Sequence, residues 1–185
     1  MSQHGTPIGV ILAGGASRRM GTDKAFVGVD GRSMVVRVAE AMSQAGCSRV
    51  VCQGGNPDLA TSFGLEVLLD SIPGSGPVVA ILTALEHHDG PIVVAACDLV
   101  DLDAAAVRAV AKAGAADPSS LVSVATADGR VHLLSYWSRA ALVPLAALVA
   151  DGVTSYRVAL ERLAASEVPV DPAAVRNINR PEDLV

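Results

Sequence analysis

Three basic side chains, Arg18, Arg19 and Lys24, share one short glycine-bearing segment of the sequence, Leu12-Ala13-Gly14-Gly15-Ala16-Ser17-Arg18-Arg19-Met20-Gly21-Thr22-Asp23-Lys24. The segment directly follows an apolar run, residues 8–12, that reads as a buried strand. Glycines at such an exit let the backbone turn sharply and approach a ligand closely. Successive N–H groups can then form a concave anion site. The three cations add charge that suits a triphosphate. The glycine spacing is neither GxGxxG nor GxxxxGK[ST], so the loop is not a dinucleotide fingerprint or a P-loop. Two carboxylates stand at comparable points further on. Asp98 follows the apolar run 92–97, and Asp70 follows the run 66–69. A carboxylate just past a buried parallel strand lies at the ligand edge of the sheet. Magnesium prefers one or two carboxylates together with substrate phosphates. Asp98 stands where such a ligand could sit. Asp101 is a possible second ligand, although a solvated loop carboxylate is the simpler reading.

Alternating elements must position these groups. Residues 8–12, 49–53, 66–69 and 92–96 are apolar on both faces, as buried parallel strands are. Between them, 34–45, 57–63 and 78–88 fit helices, and Asp103 is placed to cap a helix over 104–113. Gly46 sits where a helix stop belongs. The order predicts an α/β fold, a three-layer, doubly wound and mostly parallel sheet. In the second half, strands over 121–126 and 131–136 flank the hairpin signal Asp128-Gly129. Helical stretches follow at 138–150 and 154–165, then a short strand at 167–170. No linker or repeat divides the chain, so residues 1–185 are expected to form one domain.

Composition narrows the classes. The chain has 185 residues, 51% of them apolar, enough for a core. Aromatics are 3% and net charge is −5, which argues against a nucleic-acid partner because both stacking platforms and basic surface are lacking. The longest apolar stretch, 140–150, is too short for a membrane span and contains Pro144. The N-terminus has neither a basic n-region nor a cleavage pattern, so the expected location is the cytoplasm. Cys47, Cys52 and Cys97 form no CxxC or Cys/His cluster and are expected to be reduced structural residues.

The segment LAGGASRRMGTDKA resembles the LAGGxSxRMGxDKA signature of the molybdenum cofactor guanylyltransferases, a family of Rossmann-like nucleotidyltransferases. The resemblance continues at Cys97–Leu102, similar to CDxPxL, and at Asn177-Ile178-Asn179-Arg180-Pro181-Glu182-Asp183-Leu184, similar to NxNTPEDL. It implies that Leu12, Ala13 and Gly14 contact the nucleotide through the backbone, with Leu12 at the base and Gly14 and Gly15 near the phosphates. Lys24 and Arg18 would hold phosphate oxygens and stabilise the transition state, Asp98 would bind Mg²⁺, and Asp70 would meet the nucleoside. Gln53 stands where the family often has Asn and would hydrogen-bond the base, with Gly54 and Gly55 letting the chain pass close by. His132, Asn177 and Asn179 would serve the acceptor, and Tyr136 and Trp137 either stack on a flat pterin or pack in the core. Val79, Ala80, Val100, Leu133 and Arg180 depart from the family pattern.

The implied reaction joins GMP from GTP to the terminal phosphate of molybdopterin bearing molybdenum. The N-terminal part would bind the nucleotide and the C-terminal part the acceptor, with contact to enzymes that make or receive the cofactor. Two alternatives stand beside it. One is cytidylyl transfer to the same acceptor, against which Gly15 speaks because CTP-using relatives tend to read LAAG. The other is a nucleotide-binding relative without catalysis, motivated by the departures.

Overall fold

The computed structural model describes residues 5–13, 28–29, 32–69 and 74–177. Nine strands are formed within them: β1 (Ile8–Leu12), β2 (Gly28–Val29), β3 (Arg32–Ser33), β4 (Val50–Gln53), β5 (Glu66–Leu68), β6 (Ile92–Ala96), β7 (Val122–Ala127), β8 (Arg130–Trp137) and β9 (Ser166–Pro169). The helices are α1 (Met34–Ala45), α2 (Pro57–Ser62), α3 (Pro77–Glu86), α4 (Ala104–Ala116), α5 (Leu142–Ala150) and α6 (Tyr156–Arg162). Seven strands make one sheet in the order β5-β4-β1-β6-β8-β7-β9, while β2 and β3 form a separate ribbon. β5, β4, β1 and β6 are parallel, β8 runs against β6 and β7, and β9 is parallel to β7. All strands except β8 therefore point their carboxyl ends to one edge of the sheet.

Helices cover both faces. Helices α1 and α4 bury Val35, Val38, Met42, Val107 and Val110 against one side of the sheet. On the other side α3, α5 and α6 bury Val78, Ile81, Leu85, Leu145 and Leu160. Val10 and Ile11 of the central strand are fully buried into opposite clusters, which is why that strand reads as a continuous apolar run. The three-layer, mostly parallel architecture is the expected one.

Local chemistry sets the boundaries. Asp103 accepts a hydrogen bond from Ala106 N at 2.8 Å and caps α4. Asn56 accepts from Asp58 N and Leu59 N, with Pro57 in the first turn of α2. Asp128 and Gly129 both have positive φ, 51° and 68°, matching a type I′ hairpin turn between β7 and β8. The stretch expected as one helix over 138–150 is instead a 3₁₀ turn, Arg139–Ala141, followed by α5. Pro144 falls in the first turn of α5, where its missing N–H costs no intrahelical bond. The β2–β3 ribbon carries no alternating pattern that could have announced it. No helix among the described residues is long and apolar enough to cross a membrane.

Gly114 shows how tightly α4 lies on the sheet. A Cβ there would fall on the ring of Tyr136, whose side chain is 1% exposed. Replacing a helical glycine by alanine ordinarily stabilises by about 1 kcal/mol. Overpacking costs about 1–3 kcal/mol. Gly114→Ala is therefore expected to destabilise by about 1–2 kcal/mol, read as a lower urea midpoint. An unchanged or higher midpoint would mean that Tyr136 shifts without cost.

Candidate active site

The order β5-β4-β1-β6 contains a switch point, because the chain winds from β1 outward through β4 and β5 and then returns to β6 on the other side of β1. Ligands of doubly wound sheets bind in the crevice that such a reversal opens beyond the strand carboxyl ends. Here the crevice lies where β1 and β6 end, bringing the exit at Leu12 and Ala13 next to Asp98. β1 stays zipped to both neighbours to its last residue. Leu12 O accepts from Cys97 N at 3.2 Å, and Ala13 N donates to Gln53 O at 2.9 Å. Leu12 and Ala13 are 8% and 7% exposed, so the chain leaves the sheet from a buried, fixed start.

Asp98 is half-buried and begins the connection to α4. The family pattern has a proline in this connection where the present chain has Val100. Val100 is 3% exposed and packs with Met34, and Leu99 and Leu102 are buried in the cluster beneath α1 and α4. Burial thus fixes the loop that a proline would otherwise stiffen. Asp101 is bound by Arg176, whose Nε and Nη2 both donate to Asp101 Oδ2 at 2.9 and 2.6 Å.

Gln53 closes β4, in register with Leu12 on one side and Leu68 on the other. Its side chain is 1% exposed, and among the described residues neither Nε2 nor Oε1 has a hydrogen-bond partner. A buried amide normally satisfies its donors and acceptors. Gly54 and Gly55 follow at φ 73° and 75°, the left-handed region that glycine enters without a steric penalty. The turn therefore depends on both glycines, and it leads the chain away immediately after this amide. Ala80, where the family pattern has glycine, is half-buried against the cluster under α3 and fills the helix–sheet contact.

On the acceptor side, β8 pairs with β6 so that Ala95 faces Leu134. Continuing that register sets the half-buried His132 level with Cys97, beside Asp98. Tyr136 and Trp137 do not reach this edge. They are 1% and 0% exposed, and Trp137 Nε1 donates to Ser135 Oγ at 2.8 Å. The pterin-stacking alternative fails for both, because their rings fill the two core layers on opposite faces of the sheet. Ser135 also lies beside the Tyr156 hydroxyl, whose pKa burial pushes up. Asn177 is exposed and directly follows Arg176. The three cysteines are free, and burial raises the Cys47 thiol to about 11, which keeps it protonated near neutral pH.

Gly14, Gly15, Arg18, Lys24, Asp70 and Asn179 lie outside the described residues. Leu12, Ala13, Gln53, Asp98 and His132 stand along one edge of the sheet. Sequence reasoning missed the Arg176–Asp101 pair. Its members are 75 residues apart, and no local spacing signals it. The only hint is an arginine directly before the Asn177 motif.

These residues stand at the switch-point edge where ligands of doubly wound sheets bind. The sequence model of the MobA-like NTP transferase domain matches residues 9–168. A molybdenum cofactor guanylyltransferase of Cereibacter sphaeroides is 35% identical over 185 residues, covering 95% of this chain and 92% of its own length. One from Rhizobium meliloti is 46% identical over 82 residues, 44% of this chain and 38% of that protein. Among solved structures, the molybdopterin-guanine dinucleotide biosynthesis protein A of Archaeoglobus fulgidus superposes with a TM-score of 0.74 at 26% identity, over 95% of this chain and 94% of that one. With the family model spanning most of the chain, a full-length relative agreeing, and the switch-point edge built as such a site requires, the chain belongs to the MobA-like NTP transferase family.

Proposed function

We propose that this protein transfers GMP from GTP to the terminal phosphate of molybdopterin bearing molybdenum, with release of pyrophosphate. The observation that carries the reading is the edge itself. Asp98 flanks the exit of β1 on one side, and on the other stands the buried Gln53 amide, which has no hydrogen-bond partner among the described residues. Full-length relatives of this chain are molybdenum cofactor guanylyltransferases.

The residues divide the work. Lys24 and Arg18, with the loop amides around Gly14 and Gly15, neutralise and orient the triphosphate. The backbone at Leu12 and Ala13 bounds the base. Gln53 supplies an acceptor and two donors, which suit the acceptor and donors on the edge of guanine. Asp70 meets the ribose. His132, Asn177 and Asn179 orient the acceptor, so that the N-terminal part of the one domain serves the nucleotide and the C-terminal part the pterin.

Asp98 would hold Mg²⁺. Among the described residues no group of three or more His, Cys, Asp or Glu side chains could enclose a metal. A half-buried carboxylate at the carboxyl end of β6 nevertheless fits an ion that keeps several waters and takes the rest of its shell from substrate phosphates. Bound there, the ion supplies charge neutralisation at the phosphates.

In the reaction an acceptor phosphate oxygen attacks the α-phosphorus of GTP, a P–O bond forms, and the bond to pyrophosphate breaks. A phosphate monoester has its second pKa at about 6, so the nucleophile is already ionised near neutral pH and no strong base is needed. The protein's part is alignment and fixed positive charge.

The test is pyrophosphate release from each of the four nucleoside triphosphates, with molybdopterin bearing molybdenum and Mg²⁺. GTP is the expected substrate. Release from CTP alone would replace guanylyl by cytidylyl transfer. Nucleotide binding without release would make the chain a non-catalytic relative.

Gln53 offers a second check. An unsatisfied buried polar group costs about 1–3 kcal/mol. Gln53→Leu is thus expected to raise the unfolding temperature of the free protein while shrinking the further rise produced by GTP. An undiminished GTP-induced shift would remove Gln53 from the base site.

A further inference from the structure

We propose that the Arg176–Asp101 ion pair is a latch holding the acceptor-side segment against the metal-side loop, and that Asp101 is a positioning residue. The inference rests on the acceptor reading of Asn177 and the metal reading of Asp98. Asp101 lies three residues beyond Asp98, and Arg176 immediately precedes Asn177. The two donors of Arg176 converge on one oxygen, Asp101 Oδ2, at 2.9 and 2.6 Å.

Each partner stands on a buried base. On one side Leu99 and Leu102 enter the cluster under α1 and α4, and on the other Ala174 and Val175 enter the same cluster. The segment carrying Arg176 is also tied to the sheet edge. Val170 N donates to Thr126 O at 3.0 Å, and Asp171 accepts from Ala173 N to start the 3₁₀ turn Pro172–Val175. The pair therefore joins two anchored segments at the point where both approach the crevice.

Asp101 and Arg176 side chains are 36% and 60% exposed. A pair so exposed contributes little to global stability. What it fixes is the relative placement of two loops, and phosphoryl transfer is sensitive to misplacement on the order of 1 Å. The planar guanidinium suits this task better than an ammonium, because its donors are preorganised. The same contact argues against Asp101 as a second magnesium ligand, since its Oδ2 already accepts from both Arg176 donors.

The test compares Asp101→Asn, Arg176→Gln and the charge-exchanged double variant Asp101→Arg/Arg176→Asp. Pyrophosphate release is measured while GTP, molybdopterin bearing molybdenum, and Mg²⁺ are varied in turn. Each single variant is expected to raise KM for the acceptor about three- to fivefold, the range an exposed pair can supply. KM for GTP and the Mg²⁺ midpoint stay unchanged, and the double variant recovers most of the loss. A raised Mg²⁺ midpoint in Asp101→Asn that Arg176→Gln does not share would make Asp101 a metal ligand and overturn the latch. So would an unchanged acceptor KM in both single variants. If the wild-type protein releases no pyrophosphate, the proposed function fails, and hydrogen exchange decides the latch separately. Amides at 99–102 and at 173–177 should then exchange faster together in either single variant. Loosening of one segment without the other would overturn it.

Discussion

Asp98→Asn is expected to lower turnover at saturating GTP by about 10²–10³-fold while leaving the unfolding midpoint little changed. The substitution is nearly isosteric and removes the charge. Leu99, Val100 and Leu102, all buried, anchor the loop that carries it. The site stands at the end of β6, beside the exit of β1, where a carboxylate can share a dication with substrate phosphates. Raising Mg²⁺ should recover part of the activity, because the lost interaction is with the metal. Full activity at ordinary Mg²⁺ would show that Asp98 is not a ligand.

The parts of this molecule that could be read from its sequence are those governed by local periodicity or by short motifs. β1 and β6 have the expected limits because, Gly9 apart, every residue in each is apolar and in the sequence the runs are followed by Gly14-Gly15 and by Asp98. α1 has the expected limits because its buried residues recur on one face and Gly46 stops it. Asp103 and the Asp128-Gly129 turn were legible for the same reason, as each acts within four residues of itself.

What was not legible depends on groups far apart in sequence. The faces taken by Tyr136 and Trp137 follow from the register of β8 against β6, and the aromatic types alone do not reveal it. The Asp98 loop is anchored by Val100 meeting Met34 across 66 positions of sequence, a contact that no local pattern announces. Gln53 was legible as a candidate, but the feature that supports it, burial with no hydrogen-bond partner among the described residues, is a property of the surrounding fold.

Lys24→Ala is expected to lose about 10²–10³-fold in kcat/KM for GTP, far more than Arg19→Ala loses. The difference follows from what each charge can reach. In the sequence LAGGASRRMGTDKA, Lys24 matches the family's lysine and Arg19 the pattern's arginine, while Arg18 stands at a variable position, so Arg19 is the stringent control for Lys24. As pyrophosphate leaves, negative charge builds on its oxygens. A cation fixed near them is worth more in the transition state than in the bound substrate. The prediction therefore concerns the division between kcat and KM as well as the size of the loss. A fall carried mainly by kcat assigns Lys24 to the developing charge. A rise confined to KM for GTP would make it a uniform binding contact instead. Equal losses for Lys24→Ala and Arg19→Ala would contradict both assignments, since no single phosphate position would then distinguish the two cations. Lys24→Arg sharpens the result further: the charge is kept but the compact ammonium becomes a planar fork, so activity well below wild type would show that the site needs a point charge at a defined place.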